Sequence, residues 1–418
     1  MTISPPSDIS IPHVREEFEG RVIAPGHADY DAARRVFSGN VDRRPAVIIR
    51  PADVKEVARV VGLARQTGLE LAVRSGGHSS AGHGTSQGGI VIDLADMRSP
   101  DIDPERRTAW AETGLTAGEV TNAAAELGLA IGFGDTGSVG IGGITLGGGI
   151  GFLGRKYGLT IDNLLAAEIV TAEGAILRVD AETHPDLFWA IRGGGGNFGV
   201  ASRFQYRLQE LASVVGGILI LPATPDVISS FLAEAEAAPD ELTTIANVMP
   251  APPMPLLAEE HHGKLVVFAH LTYAGDTKAG ERAVAPFRSL ATPLADMVRP
   301  MRYPEMYMPG DPDYHPIAVA RTSFVDDVDR KAVEMIVDRL ESGSAPMRFT
   351  QLRVLGGAMA RVPTDATAFA HRRRRFMLTV GAVYRQLDEA STHEAWVTSF
   401  AAELQRGDRG AYVGFLAE

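Results

Sequence analysis

His78 is the side chain best placed to do chemistry. It closes V-R-S-G-G-H (Val73 to His78), where two glycines free the backbone for close approach and leave an imidazole at the end of the turn. An imidazole titrates near physiological pH, so it can serve as nucleophile, base or ligand. Two further glycine clusters follow, G-D-T-G-S-V-G-I-G-G-I-T-L-G-G-G-I-G (Gly134 to Gly151) and R-G-G-G-G-N-F-G-V (Arg192 to Val200). More than half of the 45 glycines lie between Val73 and Val200. Each one costs backbone entropy, and the usual reason for such a cluster is a phosphate-bearing ligand cradled by N–H groups. Gly132 to Gly137 matches G-x-G-x-x-G, but that fingerprint requires a strand before it and a helix opening on it. Here a helix end precedes it and the next glycines are expected to forbid a helix, so a nicotinamide-binding Rossmann site is not expected. His184 and His261-His262 have no partners at metal-ligand spacing, and the chain has no cysteine, so no metal site is expected.

The elements that position these turns can be read from periodicity. Ala46 to Ile49 is an apolar run ending at Arg50-Pro51 and reads as a strand. Asp53 to Gln66 places Val54, Val57, Ala58, Val60, Val61 and Leu63 at helical spacing behind an Asp53 N-cap, and Gly68 ends it. Glu70 to Arg74 is the strand that delivers His78. Strands follow at 90–94, 108–113, 166–171, 175–179 and 202–211, with a helix over 116–127 whose Thr116 and Glu119 have capping-box spacing. A short helix over 184–191 leads into the third cluster. Residues 1 to about 20 read as a loose, proline-bearing arm. After Ser213 glycine thins. Helices are predicted over 226–237, 278–290, 329–340 and 389–404, alternating with strands near 217–221, 264–273, 316–324, 349–355 and 375–384. The pattern is α+β: an antiparallel sheet backed by helices follows the glycine-rich half, with a boundary near 212.

Composition limits the alternatives. A chain of 418 residues exceeds one hydrophobic core, so two domains are expected. A net charge of −12 argues against non-specific nucleic-acid binding, and the run Arg372 to Arg375 reads as a solvated loop cluster. No window is apolar for about 20 residues, and the N-terminus lacks a basic segment followed by an apolar one. Neither a membrane span nor a secretory leader is expected, and a cytoplasmic location is the default. Oligomeric state is open.

Taken together, R-S-G-G-H, S-V-G-I-G-G-x-x-L-G-G-G-I-G-F-L-x-R-K-Y-G-L-x-x-D-N and W-A-I-R-G-G-G-G-N-F-G-V resemble the FAD-linked oxidases of the berberine-bridge-enzyme-like type, in the vanillyl-alcohol-oxidase superfamily. The resemblance is dense over 45–211. It continues more weakly through S-F-V-D-D (Ser323 to Asp327), L-G-G-A-M-A-R-V (Leu355 to Val362) and F-A-H-R (Phe369 to Arg372). It implies a PCMH-type FAD-binding domain over 1–212 and a substrate-binding domain over 213–418. It also implies FAD attached through the 8α-methyl group to His78. His83 reads as a surface residue or one packed behind the site. The cofactor-binding residues it implies are Arg74, Ser75, Gly76, Gly77, His78 and Ser79; Thr136, Gly137, Ser138, Val139, Gly142, Gly143, Gly147, Gly148 and Gly149; and Gly196, Asn197, Phe198, Gly199 and Val200. Some relatives carry a second, cysteinyl link at the position of Thr136, so attachment here is expected through His78 only. Val139 falls where relatives gate oxygen, and Ile144 where plant members carry a histidine.

The resemblance implies oxidation of an alcohol or amine carbon of a small molecule, with hydride passing to flavin N5 and oxygen reoxidising the flavin to give peroxide. A dehydrogenase using another acceptor, and a non-catalytic flavin-binding protein, are the competing readings. Tyr157 matches a tyrosine that faces substrate, and a phenol beside Arg155 or Lys156 could take a proton. Plant relatives place an ionisable residue on the strand after F-P-H-R. Here the alignment puts Leu378 and Val380 there, so the base must come from Tyr157, Tyr384, Tyr412 or the substrate itself. Gln351 and Arg353 are candidate polar contacts. Relatives also carry a C-terminal segment that packs back on the flavin domain. Its asparagine is Gly414 here, and that wall of the site is expected to be missing.

Overall fold

Asp53 starts the first long helix, three residues after strand Val47–Arg50 ends. Its carboxylate accepts the Glu56 N–H at 2.9 Å and caps Val54–Thr67, which stops at Gly68 in the left-handed region (φ 69°). That helix buries Val57, Val60, Val61 and Ala64 against a four-stranded sheet ordered Arg21–Ile23, Val47–Arg50, Ile90–Asp93, Leu71–Arg74. Arg21–Ile23 pairs antiparallel and the other two pairings are parallel. A second, antiparallel sheet follows in the order Pro100–Asp103, Thr108–Glu112, Val200–Arg207, Leu164–Val170, Ile176–Asp180. Helix Ala117–Ala125 packs into its core and begins on the expected Thr116/Glu119 capping box. The computed structural model describes residues 10–18, 20–405 and 410–416.

The third sheet is antiparallel throughout. Its main order is Ala295–Asp296, Val214–Pro222, Leu265–Tyr273, Leu242–Pro250, Met347–Val354, Phe376–Tyr384, Ile317–Val325. Directly opposed residues share a face, so one row reads Ala246, Leu352, Leu378 and the adjacent row Ile245, Arg353, Met377. The first row packs under helices Pro225–Ala237, Thr277–Arg288, Arg330–Ser342 and Ala390–Leu404, whose Phe231, Phe287, Ile336 and Phe400 are wholly buried. The second row faces the glycine-rich half.

Several sequence expectations are corrected. The supposed loose arm contains helix Ile11–Glu17, started by Pro12 and held by Val14 in the core; residues 1–9 and 19 of that arm lie outside the described residues. Leu242–Pro250 was not expected as a strand, because Thr243, Thr244 and Asn247 break its alternation, yet it is paired on both sides. The second glycine cluster does form a helix, Ile141–Gly147, preceded by the short strand Leu129–Ala130. Burial of Ile141, Thr145 and Leu146 overrides the poor helix propensity of its glycines. The arginine run is solvated only in part: Arg373 and Arg375 are exposed, but Arg372 is not. Arg372 is 0% exposed and bonds Asp162 at 2.7 and 3.1 Å and the Thr367 hydroxyl at 2.7 Å, while Arg374 and Arg375 pair with Asp326 and Glu236.

Candidate functional site

A cleft of about 700 Å³ opens between the first glycine turn and the second row of the large sheet. Arg74, Ser75, Gly76, Gly77, His78, Asp135, Thr136 and Ser138 line it from the glycine-rich side, and Asn247 and His270 close it opposite. Segment Met308–Pro312, with Tyr314 and His315, forms a further wall.

His78 is held on three sides. Its ring stacks on Phe37 (centroids 4.3 Å apart, 15° between planes), Nδ1 lies 2.9 Å from the Gly76 carbonyl and Nε2 3.1 Å from the Ser138 hydroxyl. A carbonyl can only accept, so Nδ1 carries the proton and Nε2 presents its lone pair. Burial lowers the ring's pKa below the ordinary histidine value, against the Gly76 bond that raises it. His78 is thus a neutral, oriented nucleophile at neutral pH. Arg74, by contrast, is not a free cation. It pairs with Asp93 at 2.8 Å, and Arg50 reaches the same carboxylate at 2.7 Å. Burial raises the Asp93 pKa, but the two guanidiniums outweigh it and leave the carboxyl below its usual range.

The glycines serve the protein as well as a ligand. A Cβ on Gly76 would fall 2.2 Å from the Gly140 nitrogen, and one on Gly140 would fall 2.1 Å from that of Gly76. The first two clusters therefore touch backbone to backbone, and Ser75 bridges them by accepting the Gly142 N–H at 3.1 Å. Gly140→Ala is expected to cost about 1–3 kcal/mol of unfolding free energy, as overpacking does. Urea denaturation reads this, and an unchanged midpoint would mean that the two turns are not in contact.

The second and third clusters lie away from the lining described above, apart from Asp135, Thr136 and Ser138. Gly137 and Val139 carry carbonyls that accept the Gly118 and Ala117 N–H groups, and Gly149 donates to the Tyr412 hydroxyl at 3.0 Å. A Cβ on Gly147 would lie 3.3 Å from Val413, one on Gly148 3.0 Å from Phe369, and Gly143 has open space around it. Gly193 packs so tightly on Phe369 of F-A-H-R that a Cβ would sit 2.6 Å from its nitrogen. Asn197 donates to the Gly194 carbonyl at 3.3 Å, Gly199 (φ 138°) abuts the Val170 carbonyl, and Val200 is a core residue. Gly196 has no neighbour within 4 Å of its Cβ position, Phe198 is exposed, and the Ser79 hydroxyl accepts the His83 N–H at 3.3 Å.

None of the three tyrosines named as bases lines the cleft. Tyr157 directs its hydroxyl to the Glu210 carbonyl at 3.4 Å; Lys156 lies over its ring and bonds the Ala274 carbonyl, while Arg155 bonds those of Leu355 and Ala238. Tyr384 lies against His393 of the last long helix, with its hydroxyl accepting from Asn40 at 3.2 Å. Tyr412 is buried, which raises its pKa despite the Gly149 N–H it accepts. Tyr384 and Tyr412 are buried, and Tyr157 is half-buried. Tyr412 shows instead that residues 410–416 do pack back: its ring meets Phe369 and Phe415, and Val413 lies beside Gly147 and Gly195.

The strand after F-A-H-R is also offset from the expected register. Leu378 and Val380 belong to the helix-packed core, and the opposite face carries Met377 and Thr379. Gln351 and Arg353 do reach that face. Arg353 pairs with Asp135 at 2.5 Å and bonds the Ile150 carbonyl and Gln351 at 2.8 Å each, and Gln351 donates to Asn247 at 3.1 Å. Sequence reading missed Asp135, Asn247 and His270. Asn247 sits on the unrecognised strand, and His270 is a lone histidine in an apolar run. Asp135 was hidden inside a motif scanned for its glycines.

This architecture, two sheets that carry glycine-rich turns and a larger antiparallel sheet with a cleft between, defines a PCMH-type FAD-binding fold. A family model for the FAD binding domain matches residues 45–180. The chain is 34% identical over 289 residues to (R)-6-hydroxynicotine oxidase of Paenarthrobacter nicotinovorans, an alignment spanning 69% of this chain and 62% of that protein. It is 29% identical to the uncharacterized FAD-linked oxidoreductase YvdP of Bacillus subtilis, over 95% of this chain and 89% of that one. The crystal structure of 6-hydroxy-D-nicotine oxidase from Arthrobacter nicotinovorans superposes with a TM-score of 0.85 at 26% identity, covering 96% of this chain and 90% of that chain. The chain carries an FAD binding domain, and its homologues include FAD-linked oxidoreductases of the berberine-bridge-enzyme-like type. Among the described residues no group of three or more His, Asp or Glu could hold a metal, and no helix is long and apolar enough to cross a membrane.

Proposed function

We propose that this protein is an FAD-dependent oxidase that oxidises an alcohol or amine carbon of a small molecule, with FAD joined to His78 alone and molecular oxygen as acceptor. The observation that carries it is the cleft, which presents a neutral, clamped His78 on one side and polar side chains from the large sheet on the other. The residues present fit the group. Glycines at 76 and 77 leave the turn without side chains, Gly77 takes a left-handed conformation (φ 69°), and Nε2 of His78 is unprotonated. Thr136, where a thiol would be needed for a second link, is exposed at the cleft.

When bound, FAD supplies a two-electron acceptor for hydride, and the protein's part is to bind, orient and move protons. On this reading residues 1–212 hold the dinucleotide and residues 213–418 cover it and bind substrate. His78 fixes one end of the ring system while Phe37 blocks rotation of the imidazole. Asn247, held by Gln351, offers an oriented amide to the substrate. The relative named for 6-hydroxynicotine makes that amine the first compound to test, beside alcohols and sugars. Anaerobic mixing should bleach the flavin, and stopped-flow mixing with air should then restore it with release of peroxide. Bleaching without reoxidation would assign a dehydrogenase using another acceptor. Flavin reduced by dithionite and by no substrate would assign a binding protein. A cytoplasmic location accords with the sequence reading and is part of the same proposal.

A further inference from the structure

His270 has no role in the reading above, yet its environment is unusual. It stands on the cleft side of Leu265–Tyr273, its ring centroid 5.6 Å from both Phe152 and Phe268. Nδ1 is buried with no hydrogen-bond partner, which leaves Nε2 as the ring nitrogen open to the cleft. A buried polar atom left unpaired costs about 1–3 kcal/mol, so a histidine kept for packing alone is poorly explained here.

Two charged groups act on the ring, Asp135 from the second glycine turn and Arg353 from the strand beyond Leu242–Pro250. Burial lowers its pKa below the ordinary histidine value, Arg353 pushes the same way, and Asp135 opposes them. The ring is therefore neutral at pH 7 and able to accept a proton, and once protonated it has a carboxylate at hand. Neither Asp135 nor Asn247, which line the cleft with it, takes this part. Asp135 is committed to Arg353, Asn247 cannot accept a proton, and the three tyrosines point elsewhere.

We infer that His270 is the catalytic base for an alcohol substrate, taking the hydroxyl proton on Nε2 as the carbinol carbon is oxidised. The inference rests on the flavin-oxidase reading and narrows it. The C–H bond breaks with its electron pair leaving as hydride to the flavin, the O–H bond breaks with its proton passing to His270, and the C=O bond forms. A neutral amine can lose hydride to give an iminium ion with no proton transfer in that step. A base poised at the reacting centre thus favours a carbinol over an amine.

The test uses the holoprotein, with benzyl alcohol, secondary alcohols and reducing sugars as one arm and 6-hydroxynicotine as the other. Anaerobic flavin reduction by an alcohol should show an acid limb below the ordinary histidine pKa, falling about tenfold per pH unit. His270→Asn should slow it roughly 10²–10⁴-fold and abolish that limb. A limb that survives in His270→Asn, or reduction by the amine alone with no dependence on His270, overturns the assignment. Should His270→Asn fail to fold, histidine ¹⁵N NMR of the wild type decides. A neutral His270 at pH 7 whose signals move with benzyl alcohol or the sugars supports the role, and a ring that titrates normally or ignores every alcohol overturns it. If nothing reduces the flavin the oxidase reading itself fails, and the NMR readout still judges His270.

Discussion

Acid precipitation of the wild-type protein is expected to carry all of its flavin into the pellet, on the peptide containing His78, whereas His78→Ala should release every molecule to the supernatant. The effect is all-or-none because no cysteine exists to form a second link. Thr136, at the matching position, has a hydroxyl hydrogen-bonded to Asp135 at 3.3 Å. The absorbance of the two fractions checks it. Free flavin from the wild type would sink the covalent claim while leaving FAD binding intact. Ser138→Ala removes only the partner of Nε2 and should leave attachment complete but slower to form.

Arg372 should be the most sensitive position for stability away from the cleft. Its guanidinium is fully buried against Asp162, itself 9% exposed, and it ties strand Phe376–Tyr384 to the turn at Thr160–Asn163. Substituting methionine keeps much of the volume and strands the carboxylate. Breaking a buried pair this way costs about 3–5 kcal/mol, since the remaining charge is left uncompensated. Urea denaturation of Arg372→Met, followed by the second-domain tryptophan Trp396, reads the loss. A change below about 1 kcal/mol would place Asp162 in contact with water instead. The double variant Arg372→Met/Asp162→Leu should recover much of the difference, because it removes the orphaned charge.

Both predictions concern residues that the sequence treated very differently. His78 was legible because R-S-G-G-H is a local motif, and local turns report their backbone needs through glycine. The α+β class was legible for a similar reason, since periodicity is read within one segment at a time. Arg372 was misjudged because its partner is 210 positions earlier in the chain, and charge density along a sequence carries no information about pairing across it. The same limit hid the cleft. Asp135, Asn247 and His270 come from three separate segments, joined only by strand pairing and turn packing. One of those strands, Leu242–Pro250, was not recognised at all. The register offset at Leu378 and Val380 has the sharpest lesson: a one-residue error in aligning a strand exchanges its two faces. The proposed base then moves from the tyrosines at 157, 384 and 412 to the strand carrying His270.

The alternating rows of the large sheet also set how this protein can change. On the five strands from Val214–Pro222 to Phe376–Tyr384, one set of positions packs under the helices, and Asn247 and His270 of the interleaved set line the cleft. A library varied at Asn247 and at its partner Gln351 would therefore explore new substrates while the fold stays anchored by their immediate neighbours. Inserting or deleting one residue in any of these strands would do the reverse, turning hydrophobic anchors into the cleft and polar groups into the core. Diversity here is safe by substitution and hazardous by length.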